Sequence, residues 1–365
     1  MQPNTITTAV PFLLISPDAQ CGAMGDAGCA SSPTVFSSYW NASKYAFIQK
    51  KCGISFSYTP WLRALYPDIN LTDLSLYKKI GKKNVVALSG RYYSVGNIAY
   101  KDMAGTSIGQ NRACEYYVSS SYSRLVNKKF SVGASARYIH SNLLGNIGPS
   151  FRMHAGASLA GDIACYWKDT IHNKCKPTVF SWGINISNIG TKIIYNDNYP
   201  GDFIPTNLKI GCSSKILINA LNTLELICDL NKLLVPTPPI YSSSNTAGTP
   251  VIITNGRDPV RPVWNALFTS FYDAPGGGKE ELHEVNIGSG IEYWYYNTVA
   301  IRTGYFYEHE TKGGRKYFTV GIGLRYKGIE LDGAYLIPTT ERDPMQHTIK
   351  VSLSCELDSF RKKQT

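Results

Sequence analysis

The chain has 365 residues, of which 43% are hydrophobic, 12% aromatic and only 17% charged. Soluble domains carry about 25% charged residues, yet no stretch here approaches the ~18 consecutive apolar residues of a membrane helix, so a helical membrane protein is excluded. The missing charge is replaced by 32 Gly, 25 Tyr and many Ser, Thr and Asn, and the net charge of +11 suits anionic lipid head groups. Without a dense Lys/Arg run, nucleic acid is not an expected partner.

Residues 1–49 show no strand pattern. Positions 9–15 are apolar, but Pro11 interrupts them and no basic stretch precedes them, so they do not read as a secretory signal. An exported chain would carry its leader outside this numbering. A small-residue tract at 21–28 is followed by Phe36, Tyr39, Trp40, Tyr45 and Phe47, which read as short helical turns. Ahead of a barrel, such a segment is expected to be either a lumen plug or a periplasmic arm.

From residue 50 the dominant period is two. Strands are expected at 52–59, 70–79, 84–93, 112–125, 129–141, 156–168, 179–188, 206–216, 222–232, 284–296, 299–309, 316–327, 329–337 and 347–357. Segments of about ten residues cross a bilayer when tilted, whereas ordinary globular strands run to about 5–6. Phe318, Val320, Ile322, Leu324 and Tyr326 share one face, opposite Thr319, Gly321, Gly323 and Arg325. Charge follows the same rule, because a one-residue slip would turn Arg302, Glu308 or Glu292 towards lipid, where Arg costs ~2–4 kcal/mol at the midplane. The Gly-rich face is therefore the expected lumen side. Tyr58, Tyr138, Tyr293, Tyr307 and Tyr326 lie near strand ends, where interfacial rings sit.

The connections alternate between long (60–69, 94–111, 142–155, 189–205, 233–283, 310–315, 338–346) and short (80–83, 126–128, 169–178, 217–221, 297–298, 328). Outer-membrane barrels show this asymmetry, with long loops outside and short turns in the periplasm. The expected fold is therefore all-β: a transmembrane antiparallel outer-membrane barrel of about 14 strands. It would span 50–357, with both termini and a solvated tail at 358–365 in the periplasm.

The 233–283 connection is too long for an idle loop. It opens with LLVPTPP at 233–239, passes a flexible stretch at 242–248, and reads as a short helix over 262–271 with Val263, Trp264, Leu267, Phe268 and Phe271 apolar. Its aromatics suit a self-packed lid or a protein-docking surface. Glu280, Glu281 and Glu284, with His283 between them, are expected to be solvated charge.

No catalytic or metal chemistry is indicated. The six histidines are dispersed, there is no HExxH, GxSxG, P-loop or GxGxxG, and the nine cysteines form no CxxC pair. Several cysteines fall where a strand wants a small hydrophobe. Cys212 and Cys228 flank the 217–221 turn almost symmetrically, a spacing that leaves a disulfide between them open.

Several segments together resemble the PorV family, outer-membrane barrels of the type IX secretion system of Bacteroidetes. They are TTAVPFLLISPDA at 7–19, GAMGDAG at 22–28, SYTPWLRAL at 57–65, NISNIG at 185–190, DFIPTNL at 202–208, DLNKLLVPTPP at 229–239, DAPGG at 273–277, KEEL at 279–282, GYFYE at 304–308 and YLIPT at 335–339. Cys21, Cys29 and the Asn41–Ala42 step, where the family has Asn followed by Pro, depart from the pattern. The resemblance implies a fourteen-strand barrel like that of the FadL hydrophobe transporters. It implies no catalysis and no cofactor. Its implied partners are the C-terminal signal domains of secreted cargo, the large translocon barrel they leave, and a cell-surface attachment complex whose sortase-like component anchors cargo to lipopolysaccharide. Val235, Pro236, Pro238, Pro239, Trp264, Phe268 and Phe271 are the residues expected to bind cargo or translocon. A FadL-like transporter of hydrophobic small molecules and a lipid A deacylase are the alternatives.

Overall fold

A computed structural model describes residues 4–63, 66, 68–101, 103–143, 154–172, 176–242, 252–340 and 343–357. The expected tail at 358–365 lies outside them. The strands are β1 Cys52–Pro60, β2 Asn70–Ile80, β3 Asn84–Lys101, β4 Ser107–Leu125, β5 Phe130–Asn142, β6 Gly156–His172, β7 Pro177–Gly190, β8 Asn207–Leu217 and β9 Thr223–Leu233. They continue, after a small ribbon of β10 Ile240–Tyr241 and β11 Ile253–Asn255, with β12 Asn286–Tyr295, β13 Val299–Tyr307, β14 Lys316–Tyr326, β15 Ile329–Pro338 and β16 Ile349–Glu356. All pairings are antiparallel; the ribbon strands pair only with each other, and β1 pairs with β16, so the other fourteen strands close into one barrel. No described helix is long and apolar enough to cross a membrane.

All fourteen expected strands are present, but two hairpins overrun their expected ends. Pairing of β3 with β4 continues past a register shift at Ser94/Gly96 as far as Lys101↔Ser107, so the long connection expected at 94–111 shrinks to 102–106. Pairing of β6 with β7 likewise reaches His172↔Pro177. Beyond a bilayer the alternation rule lapses, and polar residues such as Asn97 and Arg112 extend a ladder as well as apolar ones.

The barrel is inverted relative to a soluble protein. Its apolar rows face outwards, with Phe56 47%, Leu88 50% and Ile301 64% exposed, while Ser55, Ser57, Asp73, Arg91, Glu292 and Arg302 are buried. Lipid supplies the missing contact for the outer rows. Inside, the buried arginines are paired with carboxylates, as buried charges require. Arg302 bridges Glu292 (2.7 Å) and Asp332 (2.6 Å), Arg91 pairs with Asp73 (2.8 Å), and Arg137 pairs with Asp162 (2.9 Å).

Residues 10–48 pack against this polar inner face. One-turn helices at Ala19–Gly22 and Ser37–Trp40 and 3-10 turns at Pro11–Leu14 and Ala42–Phe47 leave many backbone groups without helical partners. The strands supply them. Asp229 accepts from Gly28 and Cys29 N–H at 2.7 Å each, and Gly25 N–H donates to Thr319 Oγ1 at 3.0 Å. The Ser131 hydroxyl donates to the Ser43 carbonyl at 2.8 Å. Arg91 holds the Phe12 and Ile15 carbonyls at 2.8 and 2.6 Å. Gly304 is where the approach is tightest: a Cβ there would lie 2.2 Å from Gly25 N and 2.3 Å from Met24 C. Lumen glycines are thus contact points for the segment's backbone. The departures from the family pattern fit locally, since Cys21 and Cys29 are fully buried small side chains and Asn41 accepts from Ser43 N–H, capping the turn that Ala42 begins.

Candidate docking surface on the long connection

The connection between β9 and β12 is built outwards from a buried ionic base. Glu280 lies in the first turn of helix Gly278–His283 and Glu284, four residues on, is its C-cap, so both carboxylates share one face. Lys232, at the end of β9, meets Glu281 at 2.9 Å and Glu284 at 2.6 Å; Lys312, between β13 and β14, meets Glu280 at 2.5 Å and Glu284 at 2.9 Å. Asn4 Nδ2 donates to Glu280 (2.9 Å), Thr237 Oγ1 to Glu284 (2.7 Å), and Ala274 N–H to Glu281 (2.8 Å). All three carboxylates and both lysines are buried. This corrects the expectation of solvated charge: the acids are paired cores of a clamp, because burying them without Lys232 and Lys312 would be prohibitive. Burial lifts the Glu280 carboxyl, but Lys312, Asn4 and the Gly276 N–H outweigh it and hold it below the usual range. His283 stacks on His309 with ring centroids 3.5 Å apart, and desolvation with that neighbour lowers its basicity.

A second buried pair fixes the aromatic part. Arg261 meets Asp273 at 3.0 Å and Thr269 Oγ1 at 2.6 Å, tying both ends of helix Val263–Thr269 together. Burial pushes the Asp273 carboxyl up despite Arg261. The helix buries Ala266 and Thr269 and turns Trp264 and Phe268 outwards, 70% and 66% exposed; Phe271 and Tyr272 follow at 48% and 56%.

The seven expected site residues fall into two groups. Val235, Pro236 and Pro239 are buried and Pro238 half-buried, all lining a hollow of about 620 Å³ whose other wall is formed by residues 7–11 and 200–203. Trp264 lines an adjoining hollow of about 680 Å³ against Leu159 and Ile189. Lys192 and Val260 border both hollows. Phe268 and Phe271 line neither; Phe268 stands out on the surface, and Phe271 is about half exposed with the Lys232 ammonium 5.9 Å from its ring centre. The prolines therefore form the seat of the connection, while the three aromatics are its exposed part. Sequence reasoning missed Lys232, Lys312, Arg261 and Asp273, which hold the surface in place; the Glu280/Glu284 spacing was the one available signal that a cation had to face the helix. Cys212 and Cys228 stand opposite one another across β8 and β9 as free thiols.

A closed fourteen-strand barrel with a lipid-facing apolar exterior defines an outer-membrane β-barrel protein of FadL-like architecture. The fold is similar to the Pseudomonas putida toluene transporter TodX at a TM-score of 0.52 and 12% identity, over 97% of this chain and 99% of that one. It is also similar to the Ralstonia pickettii toluene transporter TbuX at 0.49 and 13%, over 94% and 98%. Sequence comparison with curated proteins gives no match. The family model for "Type IX secretion system protein PorV" matches residues 1–240. The chain belongs to the PorV family and is an outer-membrane component of the type IX secretion system.

Proposed function

We propose that this chain captures the C-terminal signal domain of secreted cargo as it leaves the large translocon barrel and carries it to the attachment complex containing the sortase-like component. The observation that supports this most is the exposed aromatic group Trp264, Phe268 and Phe271 on a segment clamped by buried ion pairs. Exposed aromatics on a pre-organised base are what binding surfaces use, because little ordering entropy remains to be lost. In this reading the long connections face outwards and the short turns and both termini lie in the periplasm. Residues 10–48 act as a plug that closes the lumen, so cargo is handled at the rim rather than through the pore. Replacing Trp264, Phe268 and Phe271 with Ser is expected to abolish co-purification of cargo while the barrel still inserts. Unchanged co-purification would defeat the proposal, and recovery of a bound hydrophobic small molecule in place of cargo would favour the transporter reading.

A further inference from the structure

The short-turn end carries a second feature, unrelated to the aromatic surface. Four adjacent strands, β2 to β5, place their outward residues in register as rings around the barrel. One ring reads Leu76, Leu88, Ser120, Ala136, with Gly161 of β6 next. The ring nearer the short turns reads Lys78, Val86, Tyr122, Ala134. The last reads Ile80, Asn84, Arg124, Val132. Large side chains on β2 and β3 and Tyr122 of β4 stand around the small Ser120, Ala134 and Ala136 and leave a hollow of about 690 Å³ in the lipid-facing wall. Leu76, Val86, Leu88 and Tyr122 form its sides, and Ser120, Ala134 and Ala136 its floor. Tyr122 is fixed at its edge by donating to Asn84 Oδ1 at 2.8 Å.

The mouth of this hollow is cationic. Lys78 lines it, Arg124 follows one ring further on, and both side chains are exposed. They stand two strands and one ring apart, about 12 Å between backbones, and their long side chains bring both charges within reach of one head group. Lys82 and Lys83 in the turn after β2, and Lys128 and Lys129 in the turn after β4, extend the charge. Residues 74–88 and 118–132 contain no Asp or Glu. Lys129 pairs with Asp169 at 2.6 Å, whereas Lys78, Lys82, Lys83, Arg124 and Lys128 have no acidic partner among the described residues. An apolar hollow at membrane depth with unneutralised cations at its mouth has the chemistry of an acyl chain below and a phosphate above.

We propose that this wall is a binding site for an anionic glycerophospholipid, its acyl chain in the Ser120/Ala134/Ala136 hollow and its phosphate on Lys78 and Arg124. A zwitterionic lipid would fill the hollow equally well but leave the cations uncompensated. The site would bind a lipid of the leaflet that contacts the short turns, and is separate from the aromatic docking surface.

The test is native mass spectrometry of the full chain released from detergent, titrated with phosphatidylglycerol, phosphatidylcholine or purified lipid A. Phosphatidylglycerol is expected to remain bound in preference to phosphatidylcholine. The double variant Lys78→Gln/Arg124→Gln is expected to reduce its occupancy at least tenfold. The hollow-filling variant Ala134→Leu/Ala136→Leu is expected to reduce it similarly, while Lys279→Gln at the opposite end leaves it unchanged. All five substituted positions face outwards or lie on the surface, and heat-modifiable gel migration confirms the folded barrel; each double variant is an independent test should the other not fold. Equal retention of phosphatidylcholine, equal occupancy in both double variants and the parent, or tighter binding of lipid A than of phosphatidylglycerol would each overturn the proposal.

Discussion

The substitution Gly304→Ala tests how the N-terminal segment is seated. A Cβ at this position would lie 2.2 Å from Gly25 N and 2.3 Å from Met24 C, so that backbone must withdraw by roughly 1 Å to reach ordinary contact. Withdrawal strains two hydrogen bonds that share one hydroxyl: Gly25 N–H to Thr319 Oγ1 (3.0 Å) and Thr319 Oγ1 to the Ala23 carbonyl (2.8 Å). Overpacking a tight interior costs about 1–3 kcal/mol and each of the two lost hydrogen bonds about 1 kcal/mol, so the segment should lose about 3–5 kcal/mol of its seating energy. Gly333→Ala is the matched control: it sits on the outward face of β15, and a Cβ there meets nothing within 4 Å. Hydrogen exchange of residues 16–30 in detergent is the direct assay, with conductance in planar bilayers as a second readout. Gly304→Ala should raise exchange in that window and increase channel opening, and Gly333→Ala should do neither. Unchanged exchange in Gly304→Ala would refute the account of the inner wall as a tight seat.

Further expectations concern the clamp and the lipid face. Lys232→Met removes the cation shared by Glu281 and Glu284; stranding a buried carboxylate costs about 3–5 kcal/mol, so proteolysis within 256–285 should accelerate while the barrel stays intact. Acid should loosen the same region in two steps followed by hydrogen exchange. His283 is held below its ordinary value, so its contribution is complete above about pH 6.5 and fades as pH falls through its lowered value. Glu280 is also lowered, so its contribution is complete above about pH 4.3 and is lost below that; Asp273, held up by burial, works in the opposite sense. Ile301→Arg, which turns a charge from the row next to Arg302 towards lipid, should cost about 2–4 kcal/mol and lower the barrel's unfolding midpoint in urea.

How much was legible follows from where the bilayer imposes a rule. Strands such as Lys316–Tyr326 could be read with their faces because lipid on one side and a polar interior on the other force a strict period of two. The ends of β3 and β4 could not, since beyond the bilayer Asn97 or Arg112 suits a strand as well as a loop. The aromatic helix was legible from composition, but its support was not. Lys312 lies 28 residues beyond Glu284 and Lys232 lies 49 before Glu281, and nothing local says that they meet. The burial of Val235, Pro236 and Pro239 was hidden for the same reason, because their hollow is completed by residues 7–11 and 200–203.

The central claim is that cargo meets the exposed aromatics of the long connection. A photo-reactive amino acid placed at Phe268 in secreting cells measures this most directly, with Lys128 at the short-turn end as the reference position. Irradiation is expected to join the Phe268 position to the C-terminal domain of secreted proteins and to leave the Lys128 position without such adducts. Cargo adducts from Lys128 and none from Phe268 would contradict the account.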